Sequence, residues 1–441
     1  MATINILRQL VCMGAGMLMS AQVWAGLPIQ HWQTSTGTEV YFVENHALPI
    51  LDLAVNFPAG SSRDTREKAG LAGLTQQLLS QGAAGLSDAE ISRRFADLGA
   101  ILGGEQDQDR AGVTLRTLSS PRESSGALEL FAKVLQQPEF PQNVLEREQA
   151  RIISGLQESA TQPASLADKA FSAALYGDHP YGIANADTPQ SVAAISRDDL
   201  VQFYQTYYLA DGAVIAIMGD VNKAEASRIA ELLAGGLPKG AKVAGTLPPV
   251  PYPTQARVEH IAHPASQSHI LLGYPGVKRG DADYFALYVG NYILGGGGFV
   301  SRLTSEVREK RGLVYSVYSY FMPLAELGPF QIGLQTKREQ ADEALKVVHE
   351  TLGNFISQGP TDKELKAAKD NIIGGFPLRI DSNGKILSYL SVIGFYHLPL
   401  TYLDDFNKQV AKVTVAQVKD AFARRIAPDK LVEVVVGAGT K

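Results

Sequence analysis

Two residues near the start of a strand carry the donor groups needed to bind a carbonyl group and a developing negative charge. Arg308 and Tyr315 lie seven residues apart in REKRGLVYSVYSY, where the pattern predicts a helix to Lys310, a turn at Gly312 and then an alternating strand. A guanidinium offers several N–H donors to a carbonyl oxygen, and a tyrosine hydroxyl donates to an oxyanion. Taken alone, such residues are more often a surface arginine and a strand tyrosine.

A second stretch, AGLAGLTQQLLSQGA at residues 69–83, combines a helical pattern with unexpected polar positions. Leucines recur at near-helical spacing, which predicts a helix with one face in the core. Gly73 stands where a stronger helix former is expected, and two adjacent amides, Gln76 and Gln77, lie in the middle. Packing alone does not explain these residues.

Other catalytic chemistries find little support. Cys12 is the single cysteine, and no Gly-x-Ser-x-Gly elbow occurs. The glycines at 295–298 follow a helix and precede no Lys-Ser/Thr pair, so they indicate a helix-to-helix joint rather than a phosphate loop. The acidic run at 105–109 lacks the spacing of a calcium loop and is interpreted as a solvated strand edge. The eight histidines are scattered and form no metal-ligand pattern.

The bulk composition describes a globular chain with more than one core. A length of 441 residues is typical of two domains. Hydrophobic residues make up 45% and charged residues 19%, and the net charge of −5 gives no indication of a nucleic-acid partner.

The N-terminus has the layout of a cleavable export signal. Arg8 precedes a short apolar run at residues 10–19, and Ala25 offers a small residue for cleavage. The run is too short to cross a bilayer, and no later segment is long and apolar enough. Lipidation at Cys12 is the weaker alternative, because a lipidated cysteine follows the apolar run. We therefore expect a signal peptide over 1–25 and an exported protein, in a bacterial periplasm, without cysteine.

The remaining chain divides into two halves that resemble each other in order. A Gly- and Pro-rich linker is predicted over 235–256, between an N-terminal domain at 26–234 and a C-terminal domain at 257–441. In each half a strand-like run meets a proline, a helix ends at glycines, and a basic helix leads into another strand. Capping boxes at Ser87 and Thr361 mark helix starts. The expected fold class is α+β, with two homologous domains, each a mostly antiparallel β-sheet covered by α-helices.

Four stretches carry a resemblance to a known family. They are FPAGSSRDTREKAGLAGL, YGDHPYG, LVQFYQTYYLADGAVIAIMGDV and ILGGGGFVSRLTSEVREKRGLVYSVYS. In this order they resemble landmarks of the pitrilysin and mitochondrial-processing-peptidase family, the inverted-motif zinc metallopeptidases. The resemblance covers nearly the whole chain after the signal, roughly Gln30 to Val436. It implies the metallohydrolase fold of the processing peptidases in both domains.

In that family a helix carries His-x-x-Glu-His, whose histidines bind zinc and whose glutamate is the general base. The aligned positions here are Gly73 and Gln77 for the histidines and Gln76 for the base. The third ligand, a glutamate on a later helix, aligns with Gly155, and Glu158 is the nearest acidic neighbour. Glycine has no ligand atom, a neutral amide binds zinc poorly, and an amide does not take a proton from water. The resemblance thus implies a degenerate metal site, no metal or other cofactor in this chain, and no peptidase activity of the chain alone.

Arg308 and Tyr315 match in type and spacing a family pair that reaches the bound substrate. In some bacterial members of this family, one subunit carries the zinc site and the other subunit keeps only this pair. The resemblance implies a non-catalytic subunit of a heterodimeric zinc peptidase, which binds peptide together with a homologous, zinc-bearing partner. Two alternatives remain: a peptide-binding or scaffold pseudoenzyme without a role in hydrolysis, and a peptidase with a displaced metal site.

Overall fold

A computed structural model describes residues 27–240 and 246–437; the predicted signal peptide lies outside the described residues. The first half forms a six-stranded sheet whose strands are β1 (Gln30–Gln33), β2 (Glu39–Glu44), β3 (Ile50–Phe57), β4 (Ile101–Gln106), β5 (Ala111–Leu118) and β6 (Val214–Gly219). Their order across the sheet is β1-β2-β6-β3-β5-β4. The β2–β6 pair is parallel and its other pairs are antiparallel, as expected from the sequence.

The helices of the first half are α1 (Leu71–Leu78), α2 (Asp88–Asp97), α3 (Pro121–Gln136), α4 (Gln142–Ser159), α5 (Pro163–Tyr176), α6 (Pro180–Ile183), α7 (Pro189–Ala193), α8 (Arg197–Tyr207) and α9 (Lys223–Gly235). All of them except α5 and α6 contribute buried residues to the first core, on one face of this sheet. Alternate residues of β3, such as Leu53 and Phe57, pack in this core with Leu74 of α1 and Phe131 of α3. The apolar residues that alternate along the strand therefore pack, in one layer, against the apolar residues that recur every 3.6 positions along the helices.

The second half repeats the arrangement with five strands. These are β7 (Arg257–Ile261), β8 (Gln267–Val277), β9 (Val314–Phe321), β10 (Gly328–Lys337) and β11 (Val432–Val436), in the order β7-β11-β8-β10-β9. The accompanying helices are α10 (Tyr284–Asn291), α11 (Ala341–Gln358), α12 (Asp362–Gly375), α13 (Asn383–Phe395), α14 (Tyr402–Lys412) and α15 (Val415–Arg425). The β7–β11 pair is parallel, like β2–β6. The predicted α+β fold with two related halves is confirmed, and the strand orders match except for the extra β1.

Each half lends one helix to the sheet of the other half. α5 packs on β8 and β11, and α13 packs on β2, β3 and β6. Two glycines permit this close approach: a Cβ on Gly273 would lie 2.4 Å from Phe171 of α5, and one on Gly394 of α13 would lie 2.5 Å from Val214. The remaining face of each sheet is therefore covered by a helix from the other half. These apolar contacts hold the two halves together.

Gly235, the first residue of the predicted linker, still belongs to α9, and its other described residues, 236–240 and 246–256, contain neither helix nor strand. It is nonetheless docked, because Val250 is buried and the backbone oxygen of Pro248 lies 2.7 Å from Nε2 of His179. The exact domain limits stay a prediction.

The predicted capping boxes are confirmed at both helix starts. Ser87 and Glu90 exchange hydrogen bonds at α2, and Thr361 and Glu364 do so at α12. Arg302 binds Glu364 at 2.7 Å and is the main reason that the pKa of Glu364 falls to about 2.

One residue of the acidic run is buried, and the interpretation as a solvated strand edge is wrong for it. Asp109 lies in the turn between β4 and β5, where its carboxylate accepts hydrogen bonds from Tyr181 O–H (2.7 Å), Tyr396 O–H (2.8 Å) and Ala325 N–H (2.7 Å). Tyr181 belongs to the first half, whereas Ala325 and Tyr396 belong to the second. Burial raises the pKa of Asp109 although these hydrogen bonds oppose the shift. A carboxylate of the turn thus joins both halves, which no local pattern indicates.

Candidate functional site

The predicted degenerate positions lie on α1, whose start is held by a buried carboxylate. Gly70, just before the helix, has a φ of +102°, a conformation that favours glycine. Asp64 accepts hydrogen bonds from the backbone N–H groups of Gly70 (2.9 Å) and Ala72 (2.8 Å). Burial raises the pKa of Asp64 to about 7, while the two hydrogen bonds act in the opposite direction. Because the leucines of α1 face the core, the residues of α1 that are predicted to match the zinc motif face β4, β5 and α4.

Amide groups occupy this face of α1. Nε2 of Gln76 donates to the backbone oxygen of Gly112 at 3.1 Å, and its amide lies over Gly104, where a Cβ would come within 2.0 Å of it. A Cβ on Gly73 would lie 3.2 Å from the side-chain oxygen of Gln106. The position predicted to match a general base therefore holds an amide that is bound to the backbone of the sheet.

Gln77 contacts a carboxylate of α4. Its Nε2 donates to Glu148 of α4 at 2.5 Å. Glu148 also accepts hydrogen bonds from Arg151 (2.7 Å) and Arg147 (3.2 Å). Burial alone would raise the pKa of Glu148, but these arginines outweigh it and the pKa falls. Sequence reasoning missed Glu148, although it stands seven residues, two helical turns, before Gly155 and so on the same face of α4.

These residues do not fit a zinc ion. Structural and catalytic zinc sites use imidazole, thiolate or carboxylate ligands, at least three from the protein. Here the single carboxylate, Glu148, is already neutralised by two arginines, and the flanking groups are amides. Across residues 27–240 and 246–437, no three His, Cys, Asp or Glu side chains are grouped so that they could hold a metal.

Gly155 lies exposed on α4, and a Cβ there would meet no atom within 4 Å. Its assignment to the family's third ligand position stays a prediction. The structure places Glu148, and not the exposed Glu158, beside Gln77.

We expect the purified, processed chain to contain far less than one zinc ion per molecule after dialysis against a trace of the metal. The physical reason is the missing imidazole pair at Gly73 and Gln77. Elemental analysis of the eluted protein measures the content. A Gly73→His/Gln77→His variant is the matched control and should retain more zinc than the unchanged chain. Stoichiometric zinc in the unchanged chain would show a displaced metal site.

Arg308 and Tyr315 are brought into direct contact by the turn between them. Arg308 is the penultimate residue of a π-helical segment, Thr304–Glu309, and Gly312 turns the chain with a φ of +65° into β9. The guanidinium carbon of Arg308 lies 5.2 Å from the ring centre of Tyr315 and 4.8 Å from that of Phe299. Tyr315 is 83% exposed and Phe299 is 72% exposed. The predicted helix, turn and strand are confirmed. Tyr315 stands in solvent, whereas the Arg308 side chain is 31% exposed and lies 3.6 Å from the carboxylate of Glu309.

A β-bulge sets the direction of the Tyr315 side chain. Ser316 pairs with Gln335 and Val314 pairs with Thr336, so Tyr315 has no partner on β10. Such a bulge re-aims a side chain and increases the local twist of the strand. Without the bulge, Tyr315 would have a partner on β10, and its side chain would point to the face of the sheet that regular alternation along β9 sets.

The glycine run at 295–298 forms the predicted helix joint. A π-helical turn, Tyr292–Gly296, continues α10 and is followed by a short turn at Gly298–Val300. Gly295 passes so close to β9 that a Cβ would lie 2.6 Å from the backbone nitrogen of Ser319. The run positions Phe299, a residue that sequence reasoning missed although an exposed aromatic after four glycines is a signal of its own.

Comparisons with known proteins place the whole fold in a family. Residues 40–188 match the family model described as Insulinase (Peptidase family M16), and residues 194–372 match the one described as Peptidase M16 inactive domain. The chain is 25% identical over 362 residues to an uncharacterized zinc protease, YmxG, of Bacillus subtilis, covering 82% of this chain and 86% of that protein. It is 26% identical over 388 residues to the non-peptidase homolog YmxG of Helicobacter pylori, covering 86% and 87%. A crystal structure of a peptidase M16 inactive domain from Pseudomonas fluorescens superposes with a TM-score of 0.90 at 40% identity, covering 94% of this chain and 98% of that one.

Proposed function

The chain belongs to peptidase family M16, and from that premise we propose that it is the non-catalytic subunit of a heterodimeric zinc peptidase. The zinc ion and the general base belong to a homologous partner with an intact His-x-x-Glu-His helix. This chain contributes peptide binding and oxyanion stabilisation through Arg308 and Tyr315. The name of the Helicobacter pylori relative, a non-peptidase homolog, agrees with a subunit that does not hydrolyse peptides alone.

The contrast between the two halves carries the proposal. In the first half every position that matches the zinc motif holds glycine or an amide, at Gly73, Gln76 and Gln77. In the second half Arg308 and Tyr315 stand side by side, with Tyr315 exposed and Arg308 partly exposed. An exposed tyrosine on a bulge adds nothing to the core, so the arrangement is best explained by a bound molecule.

The two side chains suit the transition state of peptide hydrolysis. The Tyr315 hydroxyl donates a hydrogen bond to the oxygen of the attacked carbonyl as negative charge develops on it. The guanidinium of Arg308 donates to a neighbouring backbone carbonyl of the peptide and orients it. Phe299 and Tyr315 flank the guanidinium and limit its rotation through cation–π contacts. In this proposal the partner supplies the metal-assisted activation of water.

The proposed place of action is a bacterial periplasm, after cleavage behind Ala25. The predicted absence of cysteine in the processed chain is compatible with an oxidising compartment. Over residues 27–240 and 246–437, no helix has the length and apolar character to cross a bilayer.

A native pull-down tests the partnership. We expect the tagged, processed protein, purified from its own host, to bring down one homologous protein in equal amount. That protein should carry an intact His-x-x-Glu-His helix, because the residues of this chain do not fit zinc.

The binding-protein alternative makes a different prediction. If the chain purifies alone or with unrelated proteins, and peptides still bind to it, a peptide-binding or scaffold pseudoenzyme takes the place of the split peptidase. The contact between Arg308 and the exposed Tyr315 is the observation that both functions share.

A further inference from the structure

A cavity of about 200 Å³ lies in the second half, away from both sets of site residues. It opens between the segment after β8 and the connection from α13 to α14. Its walls are mainly aromatic and apolar, with Tyr284, Phe285, Leu398 and Pro399 among them. The volume corresponds to one amino-acid-sized group rather than to a long peptide.

The only uncompensated charge among the residues that line this cavity is Arg279. Its guanidinium carbon lies 5.3 Å from the ring centre of Tyr396, but within the described chain no side-chain or backbone oxygen accepts a hydrogen bond from it. Nε of Arg279 is buried without any partner. A buried donor without an acceptor is costly and uncommon in native structures. The guanidinium is thus ready to bind an acceptor that enters the cavity.

The acidic groups of the lining do not neutralise Arg279. Asp281 binds Arg425 at 2.8 Å, and Asp405 binds Lys408 at 2.9 Å. Burial raises the pKa of the Tyr284 and Tyr402 hydroxyls, so both tyrosines are uncharged. Although they are paired, these two carboxylates still disfavour a ligand with more than one negative charge. A ligand with a single carboxylate group can accept two parallel hydrogen bonds from the guanidinium.

We propose that the Arg279 cavity binds a monocarboxylate with a branched aliphatic or aromatic body. The carboxylate pairs with Arg279 and the apolar body fills the space between Phe285, Leu398 and Pro399. Two sources share this chemistry: a free apolar acid and the C-terminal residue of a peptide. The proposal is independent of any partner peptidase, because it concerns this chain alone.

Isothermal titration of the processed chain with 3-phenylpropionate tests the proposal. We expect binding that is roughly 10- to 100-fold tighter than that of the uncharged isostere 3-phenylpropanamide, as for a hydrogen bond to a charged group. N-acetyl-leucine serves as a mimic of a peptide C-terminus in a parallel titration. Tighter binding of N-acetyl-leucine assigns the cavity to peptide termini, and tighter binding of 3-phenylpropionate assigns it to free acids.

Two variants distinguish effects on ligand binding in the cavity from general effects on folding. Arg279→Gln should abolish the preference for the acid over the amide. Gln409→Trp changes an exposed residue at the cavity lining and should block both compounds while leaving Arg279 intact. Arg338→Gln, at a surface arginine outside the cavity, is the matched control and should bind like the unchanged chain.

Equal affinity for the acid and the amide would overturn the proposal, as would unchanged binding in both Arg279→Gln and Gln409→Trp. Absence of any binding would also overturn the proposal, because Arg279 would then be solvated by water alone. None of these results bears on Arg308 and Tyr315, so this proposal and the proposed peptidase function can fail separately.

Discussion

Tyr315→Phe lowers the kcat of the proposed peptidase complex by roughly 10²- to 10³-fold, the usual cost of removing one oxyanion donor. The substitution removes one hydroxyl and keeps the ring, so the contact with the Arg308 guanidinium at 5.2 Å survives. Since Tyr315 is 83% exposed, its hydroxyl is not needed for folding. The measurement is peptide hydrolysis by the reconstituted complex, with subunit association followed by size-exclusion chromatography.

Arg308→Ala should have an effect in the same direction, through loss of both substrate orientation and support for the Tyr315 ring. The two substitutions should be less than additive, because the side chains act as a unit.

Matched controls distinguish this role from general surface effects. Arg311→Ala removes a neighbouring arginine that pairs with Glu306 at 2.9 Å, and it should leave kcat unchanged. Tyr252→Phe removes the hydroxyl of another exposed tyrosine, in the linker, and should also have no effect. Normal rates for Tyr315→Phe and Arg308→Ala in an intact complex would refute the assignment and favour a binding protein.

Asp109→Ala lowers the free energy of unfolding by about 3–5 kcal/mol, because it leaves several buried donors without an acceptor. The Tyr181 and Tyr396 hydroxyls and the Ala325 N–H all donate to this carboxylate. Tyr181 is fully buried, so water does not replace the lost acceptor at no cost. Urea denaturation followed by circular dichroism measures the change.

Asp178→Ala is the matched control for Asp109→Ala. Asp178 pairs with Arg66 at 2.8 Å, but its side chain is 99% exposed. An exposed ion pair contributes little, so the midpoint of unfolding should hardly move. Equal midpoints for Asp109→Ala and Asp178→Ala would show that the buried carboxylate does not stabilise the contact between the halves.

The same carboxylate gives the stability a defined dependence on pH. Because burial raises the folded-state pKa of Asp109 above its unfolded value, the folded state binds the proton more tightly in the interval between them. The contribution of this group to the free energy of unfolding therefore falls as pH rises through that interval. Asp109→Asn has no titrating group there, so its stability curve should lack this part of the slope.

Much of the fold follows from local chemistry that is readable along the chain. The capping boxes at Ser87 and Thr361 start helices because each satisfies backbone donors within one turn. The repeated order of strands and helices predicted two related halves, since period and turn residues are local properties. The absence of imidazole at Gly73 and Gln77 can also be read from the sequence, because side-chain type alone decides whether a ligand atom exists.

Other features depend on residues that are far apart in sequence. The exchange of α5 and α13, the burial of Asp109 and the contact between Gln77 and Glu148 all join segments that no local pattern relates. The bulge that re-aims Tyr315 depends on its register with β10, which only strand pairing sets.

The amino-acid sequence by itself determined the element order, the related halves, the missing ligand atoms and the Arg308–Tyr315 spacing. Only the tertiary structure decided which polar groups are buried, which of them meet, and that Arg279 lines a cavity without an acceptor. The physical reason is that side-chain type and periodicity are local, whereas burial, hydrogen-bond partners and pKa shifts arise from packing between distant segments.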